Sequence, residues 1–521
     1  MQMTLNPRSL ESYQKFLAIK QLPSYKIRGK VATFPDEYGI KLGVAASVST
    51  SSYKPESFLF DYQAAITEMA IRKRKFAIFA DCGLGKSLML LSYARYVQQQ
   101  IGNKRVLIIT PPMVVRQLAG EAARFWGDDL QVETVRASGL QEWLHGTGSA
   151  IGITNYEALK QETQQANLGA LILDESSILK SQYGNYAGIC IELGRGLDWK
   201  LCLTGTPAPN DRIEYANHGV FLDRFPTINS FLATFFINRG QTQERWALKP
   251  HALRPFYRAL SDWCIFLTDP SVYGWKDNCG TIPPINVHIE HVPLTDDQRK
   301  WVNTHLRSLV ATRAGGIQSR GAYGQVAKGN WKGQAFESAK PAYIKSMVDR
   351  WPDESTLIWC LYDEEQDGLH AVVGGESLSG KTPTSKRVEA VDRFKAMESR
   401  ILISKPKILG FGLNLQVATR QIFSGLQDSY ESYYQCVKRS NRIGSTRPLN
   451  VHIPVTELEE PMIETVLAKA SRVEADSREQ EALFKELAEG FNYANEPIRF
   501  EQYCSPERSS HEPPSSGSDR T

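Results

Sequence analysis

Short, unbroken apolar runs recur along the chain between stretches of amphipathic sequence. In the first half they are FAIFA (76–80), VLIIT (106–110), AIGIT (150–154), ALILD (170–174) and KLCLT (200–204). Because they do not alternate strictly with polar residues, they predict strands buried on both faces, the pattern of a parallel sheet covered by helices. A second series follows in TLIWC (356–360), RILIS (400–404), QIFSG (421–425) and NVHIPV (450–455). Two such series predict two α/β lobes. Between them, from about 311 to 340, ATRAGGIQSRGAYGQVAKGNWKGQAFESAK is rich in glycine and basic residues and poor in hydrophobic periodicity. It reads either as a solvated connector or as an interlobe segment, mobile or wrapped around a ligand.

The ends of the chain differ from the lobes. The start, MQMTLNPRSLESYQKFLAIK, has no long apolar core, and no later window reaches the roughly 18 apolar residues of a membrane span. The expected setting is soluble, intracellular and cytoplasmic, without a membrane partner. KIRGKVATF (26–34) suits either a small accessory element touching a ligand or a strand packed on the first lobe. The last residues, CSPERSSHEPPSSGSDRT, are too rich in Ser and Pro to bury an ordering core.

Composition narrows this picture only slightly. A length of 521 residues suits two or three domains, and 42% hydrophobic with 23% charged residues is ordinary for a globular protein. The net charge of +4, from 61 basic and 57 acidic side chains, neither requires a polyanionic partner nor excludes one. The eight cysteines are scattered without CxxC spacing, which predicts reduced, mostly buried thiols rather than a zinc or redox site.

Candidate chemistry sits at the ends of the predicted strands. FAIFA runs into ADCGLGKS and an apolar helical pattern. Phosphate binding needs this arrangement: Gly83, Leu84 and Gly85 offer backbone N–H groups, Lys86 neutralises the outer phosphates, and Ser87 can ligate Mg2+. ALILDESS ends a strand on Asp174 and Glu175, a pair that on its own is a common helix cap. After a phosphate loop, the first acid is expected to hold Mg2+ and the second to orient or deprotonate water. KLCLTGTPAPND places Thr204 and Thr206 at the next strand exit. Arg439 and Arg442, in QCVKRSNRIGS, lie one helical turn apart and on their own read as a solvated basic face.

Taken in order, these motifs resemble superfamily-2 helicases, and most closely the Swi/Snf-type ATP-dependent DNA translocases. The resemblance runs from about Phe58 to Val455 and rests on DYQ (61–63), AxxGxGKS (80–87), TPP (110–112), TNYEAL (154–159), DESS (174–177), TGTPAPN (204–210), SAKPAYIKSMV (338–348), KILGFGLNLQVA (407–418) and QxxxRxxRIG. IPPINVHIEHVPLTDDQRKW (282–301) looks like the strand and helix with which that family leaves its first lobe. Three segments depart from the pattern. DESS puts Ser176 and Ser177 where residues that couple hydrolysis to motion usually stand, Ser445 replaces the glutamine after RIG, and GLQDSYESYYQ (425–435) replaces an aromatic-Asn-Pro motif. These departures resemble the compact translocases of bacteria and their phages.

The resemblance implies an α/β fold of two tandem RecA-like P-loop NTPase lobes with parallel sheets and an ATP cleft between them. Its expected parts are an N-terminal accessory segment (1–50), lobe 1 (51–285), an interlobe linker or insertion (286–340), lobe 2 (341–470), a C-terminal helix (471–504) and a disordered tail (505–521). It makes Gln63 the adenine reader and turns Arg439 and Arg442 into arginine fingers on the γ-phosphate, a role that contributes about 10³ to 10⁵ in rate where measured. It assigns nucleic-acid backbone contacts to Pro111, Thr154, Asn155, Tyr156, Lys407, Gly412 and Asn414, and coupling to Thr204 and Thr206. The implied cofactors are ATP and Mg2+. The implied partner is double-stranded DNA, with a phage or host protein as recruiter. The implied activity is ATP-driven movement on duplex DNA; a strand-separating DNA or RNA helicase and a non-hydrolysing nucleic-acid clamp are the alternatives. The second-lobe motifs argue against a P-loop kinase or transporter ATPase.

Overall fold

The computed structural model describes residues 1–39, 42–43, 52–180, 185–209, 211–240, 246–276, 282–311, 317–409, 413–426, 430–442 and 445–489. The chain divides into two compact units, Ser51–Phe484 and a second made of residues 1–50 with 485–521.

In the larger unit every apolar run named above forms a strand. Seven parallel strands make the first sheet, in the spatial order Cys264–Leu267, Lys75–Ala80, Trp199–Thr204, Leu168–Asp174, Arg105–Thr110, Ile151–Asn155 and Glu133–Thr134. Alternate residues of one strand feed two cores. Ala77 and Phe79 join one cluster with Leu107 and Leu171, while Phe76, Ile78 and Ala80 join the other with Met89 and Ile108. Burial on both faces is why these runs are continuous rather than alternating. The register then aligns the chemistry: Phe79 pairs with Thr204, Asp174 with Leu203, and Thr110 with Asn155. The candidate residues at the strand ends of this lobe therefore emerge at the carboxyl edge of one sheet, where open α/β sheets bind ligands.

The second sheet has six parallel strands in the order Ile285–His291, Leu449–Val455, Arg420–Phe423, Thr356–Trp359, Ile401–Ser404 and Glu376–Leu378. Its first strand corrects an expectation. Residues 285–291, expected at the exit of the first lobe and the start of a linker, pair instead with the strand Leu449–Val455 across seven registered positions. Pairing over that length outweighs sequence adjacency. The expected connector is also built: helices Asp296–Ala311 and Ile317–Ala327 lead to the hairpin Asn330–Trp331/Gln334–Ala335, and Trp301, Ala322 and Val326 form a small buried core beneath them. Lys332 (φ 50°) and Gly333 (φ 80°) supply the left-handed turn of that hairpin.

One long helix, Glu460–Glu489, begins earlier than the expected helix at 471–504. Ile463 and Val466 bury its start in the second-lobe core, and Leu483 packs near its end on the first-lobe core. There Glu481 accepts the amide of Thr268 at 2.6 Å and Gln480 donates to the Tyr257 hydroxyl at 3.1 Å. At its foot Glu459 is fully buried between Lys328 Nζ (2.7 Å) and Lys340 Nζ (2.6 Å). Buried charges persist only when paired in this way. A second short hairpin, Phe236–Asn238/Trp246–Leu248, packs Phe236, Trp246 and Leu248 on the first-lobe core. The expected tail at 505–521 lies outside the described residues.

The smaller unit carries a three-stranded antiparallel sheet (Gln2–Thr4, Val31–Thr33, Lys26–Arg28, in spatial order) and the helix Leu10–Ile19. Ser9 caps that helix by accepting the amide of Ser12, and Phe16, Ile19, Ala32, Phe34 and Tyr38 form its core. Residues 26–34 thus pair within their own small sheet.

Candidate nucleotide and nucleic-acid site

The loop after the strand Lys75–Ala80 turns through Gly83 (φ 94°) and Gly85 (φ 71°), and the helix Lys86–Gln100 starts immediately behind it. Both glycines sit where a side chain is strained, and a Cβ at Gly85 would fall 2.2 Å from Gln63 Nε2. The helix N-terminus supplies free N–H groups and the positive end of its dipole, the physical basis of an anion site. Lys86, its first residue, folds its Nζ back onto the carbonyls of Ala80 (2.8 Å) and Asp81 (3.1 Å); Ser87 follows. Gln63 is buried beside the loop. Its Nε2 donates to the Leu84 carbonyl at 3.3 Å, and its Oε1 accepts the Phe60 amide at 3.0 Å.

At the neighbouring strand end Asp174 is nearly enclosed, and Thr110 donates to its Oδ2 at 2.7 Å. Burial, reinforced by Glu175, pushes its carboxyl up to about 6. Glu175 takes a left-handed φ of 49°, a strained setting for a long side chain, and its Oε2 receives Thr204 Oγ1 at 3.4 Å. Thr204 Oγ1 in turn accepts the amide of Thr206 at 3.2 Å. Glu175, Thr204 and Thr206 thereby form one bonded edge beside Asp174.

Behind that edge lies a residue the sequence reading did not single out. His218, from the helix Tyr215–Phe221, is fully buried with Nε2 3.1 Å from Ser176 Oγ, and burial pushes its imidazole down to about 4. The unusual DESS ending was the only sequence signal that another group had to meet Ser176.

The second lobe contributes two differently placed arginines. Arg442 sends Nη1 to the Leu413 carbonyl at 3.3 Å and lines a cleft of about 910 Å³ together with Gly83, Arg116 and Asn414. Arg439 is buried; its Nε donates to the Gln435 carbonyl at 2.9 Å, while its Nη2 is enclosed without a hydrogen-bond partner among the described residues. The cleft thus unites the phosphate loop with one of the two arginines.

The expected nucleic-acid residues divide by exposure. Thr154 and Tyr156 turn inward, with their hydroxyls used on the carbonyls of Val135 (2.9 Å) and Asp174 (2.7 Å), so neither side chain is presented to a ligand. Asn155 caps the following turn by accepting the Ala158 amide at 3.0 Å. Pro111 caps the helix Pro112–Trp126. Lys407 and Asn414 are exposed, and Gly412 lies outside the described residues. Six of the cysteines, Cys82, Cys190, Cys202, Cys264, Cys360 and Cys436, are free and buried; Cys279 and Cys504 lie outside the described residues. Among the described residues, no helix is long and apolar enough to cross a membrane.

Comparison with known proteins adds an independent line. Residues 69–328 match the model of the SNF2-related domain, and residues 339–444 match that of the helicase conserved C-terminal domain. Similar curated proteins include the DNA annealing helicase and endonuclease ZRANB3 of Bos taurus, 23% identical over 458 residues, covering 80% of this chain and 41% of the relative. Another is the SWI/SNF-related matrix-associated actin-dependent regulator of chromatin subfamily A member 1 of Mus musculus, 23% identical over 442 residues, covering 74% of this chain and 40% of the relative. The chain spans about two fifths of the length of these relatives. A solved Sulfolobus solfataricus SWI2/SNF2 ATPase core in complex with dsDNA aligns with 84% of this chain and 98% of its own, at 19% identity and a TM-score of 0.39. With the two family matches lying in sequence across the two parallel sheets, the chain belongs to the SNF2-related family of helicase-like proteins.

Proposed function

We propose that this chain hydrolyses ATP to move along double-stranded DNA. The observation that carries the reading is the cleft whose walls hold the phosphate loop at Gly83 and Arg442 from the other lobe. In this reading Lys86 leaves its carbonyl partners for the outer phosphates of ATP, and the amides of Gly83, Leu84 and Gly85 cradle them. Gln63 sits beside the loop where an adenine would be read. Ser87 and Asp174 would hold Mg2+, an ion that takes few protein ligands because phosphates and waters complete its shell. That ion offsets charge on the phosphates when bound. Asp174 fits the role, since a cation would favour the ionised form that burial now disfavours. Glu175, held by Thr204, is placed to orient water, and Arg442 with Arg439 offsets charge on the leaving phosphoryl group.

Hydrolysis that depends on both lobes couples nucleotide state to lobe separation, and two lobes that grip a backbone alternately make a motor. Pro111, Asn155, Lys407 and Asn414, with the backbone of Thr154 and Tyr156, are the groups this reading sets against phosphates, contacts that carry no sequence information. The DESS and RIGS departures support a compact bacterial or phage form working in the cytoplasm.

The test is steady-state ATP hydrolysis with no nucleic acid, duplex DNA, single-stranded DNA or RNA at one salt concentration. Stimulation chiefly by duplex DNA is the expected result. Stimulation chiefly by single strands or RNA would replace the translocase with an unwinding helicase. Binding without turnover would replace it with a clamp.

A further inference from the structure

The helix Tyr430–Val437 leads directly into the arginine pair. Glu431, Tyr434 and Lys438 are spaced i, i+3 and i+7, which sets them on one helical face, and each ends on the first lobe. Glu431 pairs with Lys180, just beyond DESS, and its Oε1 receives Thr206 Oγ1 at 3.4 Å. Tyr434 donates its hydroxyl to Asp81 Oδ1, and Lys438 Nζ lies 3.1 Å from Asp81 Oδ2. Asp81 belongs to the phosphate loop, and its backbone carbonyl is one of the two that hold Lys86. Every tie therefore lands in or beside a segment of the nucleotide site: Asp81 in the phosphate loop, Thr206 at the strand exit and Lys180 just beyond DESS.

We propose that Asp81, Tyr434 and Lys438, with Glu431 as a second anchor, are positioning residues that register the arginine pair against the phosphate loop before ATP arrives. The inference rests on the reading of the cleft as an ATP site. All these groups are largely removed from water: Asp81 and Lys438 are 19% and 14% exposed, and Glu431 9%. A charge in such a setting needs its partner, so the lobes lose compensated charge when they separate. Burial alone would raise the Asp81 carboxyl, but Lys438, the Tyr434 hydroxyl and the Cys82 amide outweigh it and hold the group below the usual carboxylate range. Lys438 immediately precedes Arg439, so the registration reaches the arginines through one peptide bond. ATP then enters a cleft whose two walls are already aligned, and its apparent affinity is not reduced by a scarce competent state.

The experiment uses the full chain with Tyr434→Phe and Lys438→Met combined, changes that keep the ring and most of the aliphatic stem. Dyes carried by unnatural residues at the exposed positions Lys104 and Glu398 report the interlobe distance by energy transfer without nucleotide. The expected result is a broader, longer distance distribution, with the KM for ATP raised about tenfold and kcat at saturating ATP and duplex DNA changed less than about twofold, because saturating ligand restores the competent state. Lys438→Arg restores both readouts. An unchanged distance distribution overturns the proposal, and so does a fall in kcat at constant KM. If the distance responds as expected while the wild-type chain hydrolyses no ATP with any nucleic acid, the registration stands and the ATPase reading fails.

Discussion

The two lobes present their candidate residues in opposite states. In the first, the polar groups are bonded within the lobe: Lys86 to Ala80 and Asp81, Asp174 to Thr110, Glu175 to Thr204, Ser176 to His218. In the second, Arg439 keeps an enclosed nitrogen without a hydrogen-bond partner among the described residues, and the Arg442 side chain donates to the Leu413 carbonyl in the cleft. Bonds among these first-lobe groups hold their geometry without a ligand, although His218 Nδ1 is buried without a partner among the described residues. A buried guanidinium with such a nitrogen is a store of unused hydrogen-bonding capacity, and an anion offered to it recovers that capacity.

The contrast is broken most severely at the arginines. Arg442→Ala is expected to lower nucleic-acid-stimulated turnover by about 10³ or more while ATP binding persists. Lys86→Ala is expected to lose turnover and binding together. Titration with a fluorescent ATP analogue beside a turnover assay separates the two patterns, and equal loss of binding in both variants would remove the distinction between the lobes.

The next largest effect concerns what holds the second lobe together. Glu459→Ala strands Lys328 and Lys340 as buried uncompensated charges, which costs about 3–5 kcal/mol in denaturant unfolding. Burial would raise the Glu459 carboxyl, but the two lysines outweigh it and hold it down at about 2. A depressed carboxylate contributes stability above its unfolded value of 4.5 that is lost as pH falls toward the folded value. Wild type should therefore lose stability between about pH 4.5 and 2 more steeply than Glu459→Gln, as followed by thermal melts across that range.

Two smaller substitutions sharpen the picture of the first lobe. Thr110→Val removes the donor to Asp174 and should cost about 1–2 kcal/mol while moving that carboxyl further up, visible in a carbonyl NMR titration. Ser176→Ala removes the contact with His218 and should cost about 1 kcal/mol in stability. A larger fall in DNA-stimulated turnover than in stability would make that pair part of the coupling path.

Legibility from sequence followed locality. The strand–loop–helix around Gly83, Gly85 and Lys86 was readable because glycine conformations, an apolar run and a helix start are properties of adjacent residues. Asp174 and Glu175 were readable because a buried strand must end where its apolar run ends. Cys264–Leu267 was not recognised as a strand, since four residues carry too little pattern to separate a strand from a buried turn. The inward turn of Thr154 and Tyr156 was equally hidden, because a hydroxyl's partner can lie almost twenty residues away, as Val135 and Asp174 do.

The sequence by itself determined the two parallel sheets, the phosphate loop, the acidic pair and the existence of two arginines near the end of the second lobe. Each is encoded in side-chain periodicity or in the φ freedom of glycine, which act over a few residues. Only the tertiary structure decided that residues 285–291 belong to the second sheet, that His218 stands behind Ser176, that Arg439 is buried while Arg442 lines the cleft, and that Asp81 meets Tyr434 and Lys438 across more than 350 residues of chain. Those outcomes depend on which buried polar group finds which partner once the cores have formed. That competition is settled by desolvation across the whole unit, a quantity that no local window of sequence contains.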